Sequence, residues 1–129
     1  MTRINVGVKP KELCRQHLLA EAREMKRIPN VVAKGKFNLK GQPKEFTLGT
    51  GHVKFFYDKL GYLKQRYEEV YAECLERGYN VTYFGNAWDN VPQHLMGEYT
   101  PTLKDRTITL ARIEERLMNM NKQKNKHGI

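Results

Sequence analysis

Residues 52–77 read HVKFFYDKLGYLKQRYEEVYAECLER, and this run decides the fold. Phe55, Phe56, Leu60, Leu63, Tyr67, Val70, Tyr71, Cys74 and Leu75 recur at the three- and four-residue spacing that gathers them on one broad stripe of an α-helix. Gly78 follows as a C-terminal cap, and Gly61 is a weak point inside the helix. Toward the N-terminus, residues 35–51 are rich in Gly, Lys, Pro, Asn and Thr without a sustained period, which predicts a long ordered loop. Before it, Pro10 suits the first turn of a helix in which Cys14, Leu18, Ala22 and Met25 recur at spacings of four and three. That helix is expected over residues 10–25, with Pro29 ending or kinking it. Toward the C-terminus, residues 79–101 read as an irregular crossover with one short helical turn. Residues 102–120 then set Leu103, Ile108, Leu110, Ile113 and Leu117 among Lys104, Arg106, Arg112 and Arg116, an amphipathic helix with a basic face. The expectation is an all-α fold: one compact domain over residues 1–120, three main helices with long loops, and a basic tail at 121–129 expected to be disordered in isolation.

A chain of 129 residues must place any chemistry and any cleft on a single core, and a hydrophobic fraction of 40% suffices to build one. Its 23 Lys and Arg against 14 Asp and Glu leave a formal charge of +9. Such an excess in a small domain is the footprint of a protein that neutralises phosphates, although basic toxins and ribosomal proteins share it. The first residues, Met1-Thr-Arg-Ile-Asn, contain no apolar signal segment, and no run is long enough to span a bilayer, so a cytoplasmic protein is expected. Cys14 and Cys74 lack a CxxC partner and read as reduced structural thiols. His17, His52, His94 and His127 form no HxxxH or HExxH pair, which leaves no metal ligand set.

Chemistry enters at the N-terminus. A small residue after Met1 permits its removal and exposes the α-amine of Thr2. Such an amine has a pKa of about 7.7–8.0 against about 10.4 for Lys, so roughly a tenth of it is free base at neutral pH. It can attack C1′ of a damaged nucleotide, displace the base and form an imine, after which loss of a C2′ proton permits β-elimination of the 3′ phosphate. Neither a metal nor a cofactor is required. At 100° per residue, His17, Glu21 and Glu24 share one side of the first helix, and Arg23 and Arg27 flank Glu24. Glu24 can then hold the amine, stabilise the developing oxocarbenium charge and take the C2′ proton, while Arg3, Arg23 and Arg27 grip phosphates and His17 contacts phosphate or sugar. The competing reading of the same residues is a solvated helix face laced with ion pairs.

The residues Thr2-Arg3-Ile4-Asn5, Gln16-His17-Leu18, Ala20-Glu21, Arg23-Glu24 and Arg27 resemble the N-terminal block of the phage endonuclease V family, the pyrimidine-dimer DNA glycosylase/AP lyases. A second block, FTLGTGHVKFFYDK at 46–59 followed by AECLERGYN at 72–80, resembles the family's loop and second helix. A third, GEYTP at 97–101 with ARIEER at 111–116, resembles the approach to the last helix. The resemblance implies an N-terminal segment packed on the first helix, the Thr2 amine as nucleophile and Glu24 as the essential carboxylate. It further implies DNA contacts from Arg3, Gln16, His17, Arg23 and Arg27, and phosphate contacts from Arg112 and Arg116. The partner it implies is duplex DNA holding cyclobutane pyrimidine dimers or abasic sites, bent sharply so that a nucleotide flips out, bound by a monomer in the cytoplasm, that of the host cell if phage-encoded.

Three departures stand out. One extra residue lies between Asn5 and Gln16, where the loop before Pro10 absorbs it. Ala22 and Lys26 replace an aromatic residue and a proline beside Glu24. Residues 121–129, NKQKNKHGI, replace an aromatic-rich C-terminal segment, removing stacking worth about 1–3 kcal/mol per base. Tyr83, Phe84 and Trp88 are candidates for a substitute platform, against the alternative that they pack the crossover onto the core. A glycosylase/lyase for another lesion and a non-catalytic basic DNA-binding module are the competing functions.

Overall fold

The computed structural model describes residues 2–127, with side chains to 121. Its helices are α1 (Arg15–Glu24), α2 (Arg27–Ala33), α3 (Leu60–Glu76) and α4 (Leu103–His127). Short 3₁₀ turns lie at Pro10–Glu12, Lys54–Phe56, Gly85–Trp88 and Gln93–Leu95. Among the described residues there is no strand, so the class is all-α, with α1, α3 and α4 as its main helices. None of the helices is long and apolar enough to cross a membrane, among the described residues.

The helix expected from Pro10 starts later. Pro10 opens only a 3₁₀ turn, after which Leu13 and Cys14 are extended, at ψ 141° and 163°. Leu13 turns into the core, whereas Cys14 becomes the exposed N-cap of α1. Pro29 ends nothing by itself: it sits in the first turn of the unexpected α2, where its missing N–H has no helical partner to lose. Gly35, at φ +71°, closes α2 with bonds from Gly35 N to Val32 O and Lys36 N to Val31 O, a Schellman motif. Gly78 closes α3 in the same way. The helix expected from His52 begins at Leu60, because Lys59 leaves the helical region (φ −124°, ψ 37°) and bridges Met96.

α3 buries Leu60, Leu63, Arg66, Tyr67, Val70 and Cys74, and Trp88 packs on Tyr67 while its Nε1–H donates to Leu60 O. Trp88 thus fastens the crossover to the core, whereas Tyr83 is exposed and Phe84 carries the Lys26 ammonium over its ring. Gly61 has a packing role: a Cβ there would come within 2.7 Å of Met96 O. Its bareness lets Gly97 O accept the Tyr62 N–H.

α4 departs most from its sequence pattern. Thr102 and Asp105 cap it reciprocally, but the face turned inward carries Asp105 and Thr109, while Leu103 is 84% exposed and Leu110 and Leu117 lie at the surface. Ile108 and Ile113 supply its apolar contact. With no Gly or Pro before Gly128 to stop it, the backbone helix continues past Met120 to His127; Gly128 and Ile129, the end of the expected tail, lie outside the described residues.

The N-terminal segment is almost wholly buried, with Ile4, Val6 and Val8 in the core. Gly7, at φ +83°, turns it beneath Arg106, whose backbone a Cβ would meet at 2.9 Å. Arg106 in turn bonds Gly7 O and Glu12, holding the Glu12 carboxyl down at about 2. His52 receives the segment: its Nδ1–H donates to Thr47 O at 2.8 Å and its Nε2 accepts the Ile4 N–H at 3.0 Å. Burial, opposed by the Thr47 carbonyl, pulls the imidazole below its ordinary value.

Two stability predictions follow from this packing. Gly61→Ala should destabilise by about 1–3 kcal/mol in urea unfolding, since backbone rather than a flexible side chain must yield; an unchanged midpoint would contradict the close approach. Because the folded-state pKa of His52 lies below the unfolded one, its stabilisation is full above about pH 6.5 and is lost as pH falls. Thermal unfolding should therefore shift to lower temperature from about pH 7 to about pH 5, and shift less in His52→Gln, which does not titrate there. Equal shifts in the two proteins would rule out the His52 contribution.

Candidate nucleic-acid interface

A cleft of about 260 Å³ opens where the N-terminal segment, α1 and α4 meet, lined by Arg3, Asn5, Gln16, His17, Ala20, Glu21, Glu24, Arg112, Ile113 and Arg116. Helical geometry explains the set: 17, 20, 21 and 24 share one face of α1, and 112 and 116 lie one turn apart on α4. An adjoining cleft of about 440 Å³ continues along α4 and shares Arg3, Gln16, Arg112 and Arg116. The joint surface is a trough with three arginines on its walls.

The two carboxylates of α1 differ sharply. Glu21 has no exposed side-chain surface and receives Arg66 Nε at 2.7 Å, Arg66 Nη2 at 3.0 Å and Asn5 Nδ2 at 2.7 Å. It is a structural anion with its hydrogen-bond capacity largely committed. Glu24 keeps 15% of its side chain exposed in the cleft and, among the described residues, meets only the loose ion pairs of Arg23 at 3.6 Å and Arg27 at 4.0 Å. Those two arginines are more than half exposed, so their grip on Glu24 is weak and a bound anion can share them.

On the opposite wall, Arg112 donates from Nη2 to Asn5 Oδ1 at 2.9 Å. Asn5 thereby connects the buried carboxylate of Glu21 to a cleft guanidinium. Desolvation, reinforced by Arg112 and opposed by Glu21, lowers the pKa of His17, and its buried Nδ1 has no hydrogen-bond partner among the described residues. A neutral imidazole with one unengaged nitrogen can accept from or donate to a ligand. Among the described residues no group of three or more His, Cys, Asp or Glu side chains converges as metal ligands would.

The cleft thus brings together Arg3, Gln16, His17, Glu24, Arg112 and Arg116, with Arg23 and Arg27 beside Glu24. Thr2 does not line it; it is buried, one residue before Arg3. Sequence reasoning passed over Asn5, His52 and Arg66 as contributors. Arg66 alone left a visible signal, a charged residue in the apolar phase between Leu63 and Val70. The bond from Ile4 to His52 spans 48 positions and leaves no local trace.

The model of one family, pyrimidine dimer DNA glycosylase, matches residues 1–84. The match takes in the N-terminal segment, α1, α2, the long loop and all of α3, and with them every cleft residue except those of α4. The chain belongs to the pyrimidine dimer DNA glycosylase family.

Proposed function

We propose that this chain excises cyclobutane pyrimidine dimers from duplex DNA and then cleaves the strand at the resulting abasic site, with the α-amine of Thr2 as nucleophile after removal of Met1. The observation that carries the reading is Glu24: a loosely paired carboxylate in a cleft walled by Arg3, Arg112 and Arg116. Thr2 precedes Arg3, so its nitrogen lies one residue, about 3.5 Å of chain, from the backbone of a residue that lines the cleft.

The amine forms a bond to C1′ as the glycosidic bond breaks, and the departing base leaves with the bonding electrons and gains a proton. Opening of the sugar at the C1′–O4′ bond leaves an imine between Thr2 and C1′. Glu24 stabilises the cationic sugar and then removes the C2′ proton, whose electrons expel the 3′ phosphate; water releases the enzyme. Arg3, Arg112 and Arg116 hold phosphates flanking the lesion, Arg23 and Arg27 extend that grip past Glu24, and Gln16 and His17 contact the displaced nucleotide or its sugar.

A second reading, a glycosylase/lyase for another lesion, is favoured by one observation: residues 121–129 contain no aromatic side chain to stack on DNA. A panel of lesion duplexes separates the two.

Borohydride trapping on dimer-containing and abasic duplexes tests the mechanism. The form beginning at Thr2 should trap both. A form retaining Met1 should trap neither, and Glu24→Gln should lose excision and strand cleavage by roughly 10²-fold or more. Equal trapping by all three would sink the amine mechanism, and no trapping by any would leave a DNA-binding module without this chemistry.

A further inference from the structure

His52 lies outside the cleft, yet it holds the segment from which the proposed nucleophile projects. Its ring is 4% exposed and is fixed edge-on between Phe46, at 5.5 Å between centroids, and Phe56, at 5.4 Å. Both nitrogens are spent. Thr47 O can only accept, so it fixes the proton on Nδ1 and leaves Nε2 as the acceptor for the Ile4 N–H. At the next residue the Asn5 side chain is held from two sides, by Glu21 and by Arg112. Residues 4 and 5 are thus fastened by backbone and by side chain, and Thr2 lies two residues before Ile4.

A tether of two residues spans about 7 Å at most. Its anchor therefore decides where the amine can go. We propose that His52 is a positioning residue for the terminal amine: by accepting the Ile4 N–H it sets the reach of Thr2 into the cleft that holds Glu24. The inference rests on the amine chemistry proposed above. Holding a nucleophile near its target converts an encounter into an intramolecular step, and a displacement of about 1 Å can cost about 10²-fold in rate.

Two substitutions separate the ring's contacts. His52→Asn keeps an N–H near the Nδ1 position for Thr47 O but offers nothing to Ile4, whereas His52→Gln places an oxygen acceptor near the Nε2 position. The readouts are the single-turnover trapping rate on an abasic duplex and the affinity for a duplex carrying a tetrahydrofuran abasic analogue, which cannot form an imine. His52→Asn should trap about 10- to 100-fold more slowly with analogue affinity retained, and His52→Gln should recover most of the rate. Trapping by His52→Asn at the wild-type rate, an equal loss in both variants, or a loss of rate that only tracks a loss of affinity would each overturn the proposal.

A third variant leaves His52 and its bond to Ile4 in place. One glycine inserted between Thr2 and Arg3 keeps the clamp but lengthens the tether by about 3.5 Å. Trapping should fall with affinity for the analogue duplex retained, and undiminished trapping would overturn the positioning role even if the His52 variants fail to fold. Absence of trapping by the wild-type form would instead defeat the amine mechanism itself, so the two failures are distinguishable.

Discussion

The ion pair between Glu21 and Arg66 is the constraint on which the rest of the structure depends. Two opposite charges with 0% and 5% side-chain exposure have left water, which is tolerable only if each finds a full set of partners. They do. Arg66 binds both carboxylate oxygens and also donates from Nη1 to Val8 O at 2.5 Å, while Asn5 donates to Glu21 Oε1. Burial works against the charge on Arg66, yet Glu21 holds the guanidinium above its ordinary value. One pair thus joins α1, α3 and the N-terminal segment at two points, and through Asn5 it reaches Arg112 on α4. Removing a single partner from such a network leaves an uncompensated buried charge, a far larger penalty than the net worth of the pair.

The candidate cleft is the outward side of that network. Glu21 spends its charge inward, and Glu24, one helical turn further along the same face, is left available to a ligand. Asn5 turns the buried anion into orientation for a cleft arginine. The same segment bears the residue proposed as nucleophile. Its near-complete burial is unusual for a terminus, where fraying is the default.

The sequence made some of this legible and hid the rest for physical reasons. The stripe from Leu60 to Cys74 is a true helix face, because apolar residues at three- and four-residue spacing have few other ways to be buried together. Phe55 and Phe56 belong to the core but not to the helix: they cluster with Phe46 and His52 above a 3₁₀ turn, and periodicity does not distinguish the two cases. α4 misled most, since its buried positions are Asp105 and Thr109 while Leu103, Leu110 and Leu117 lie at the surface and only Ile108 and Ile113 reach the core, among the described residues. For the cleft, spacing placed His17, Glu21 and Glu24 on one face of α1 and Arg112 and Arg116 on a basic face of α4, whereas Gln16 and the phosphate contacts of the two arginines came only from the family resemblance. Asn5 and His52 act through contacts with distant residues, which no local pattern encodes.

The proposed chemistry turns on the identity of the attacking nitrogen. Mass-spectrometric mapping of the complex formed with abasic DNA, after borohydride reduction and digestion, reads that identity directly. The sugar remnant is predicted on the α-nitrogen of Thr2 in a chain lacking Met1. A remnant on a lysine ε-nitrogen would contradict the account.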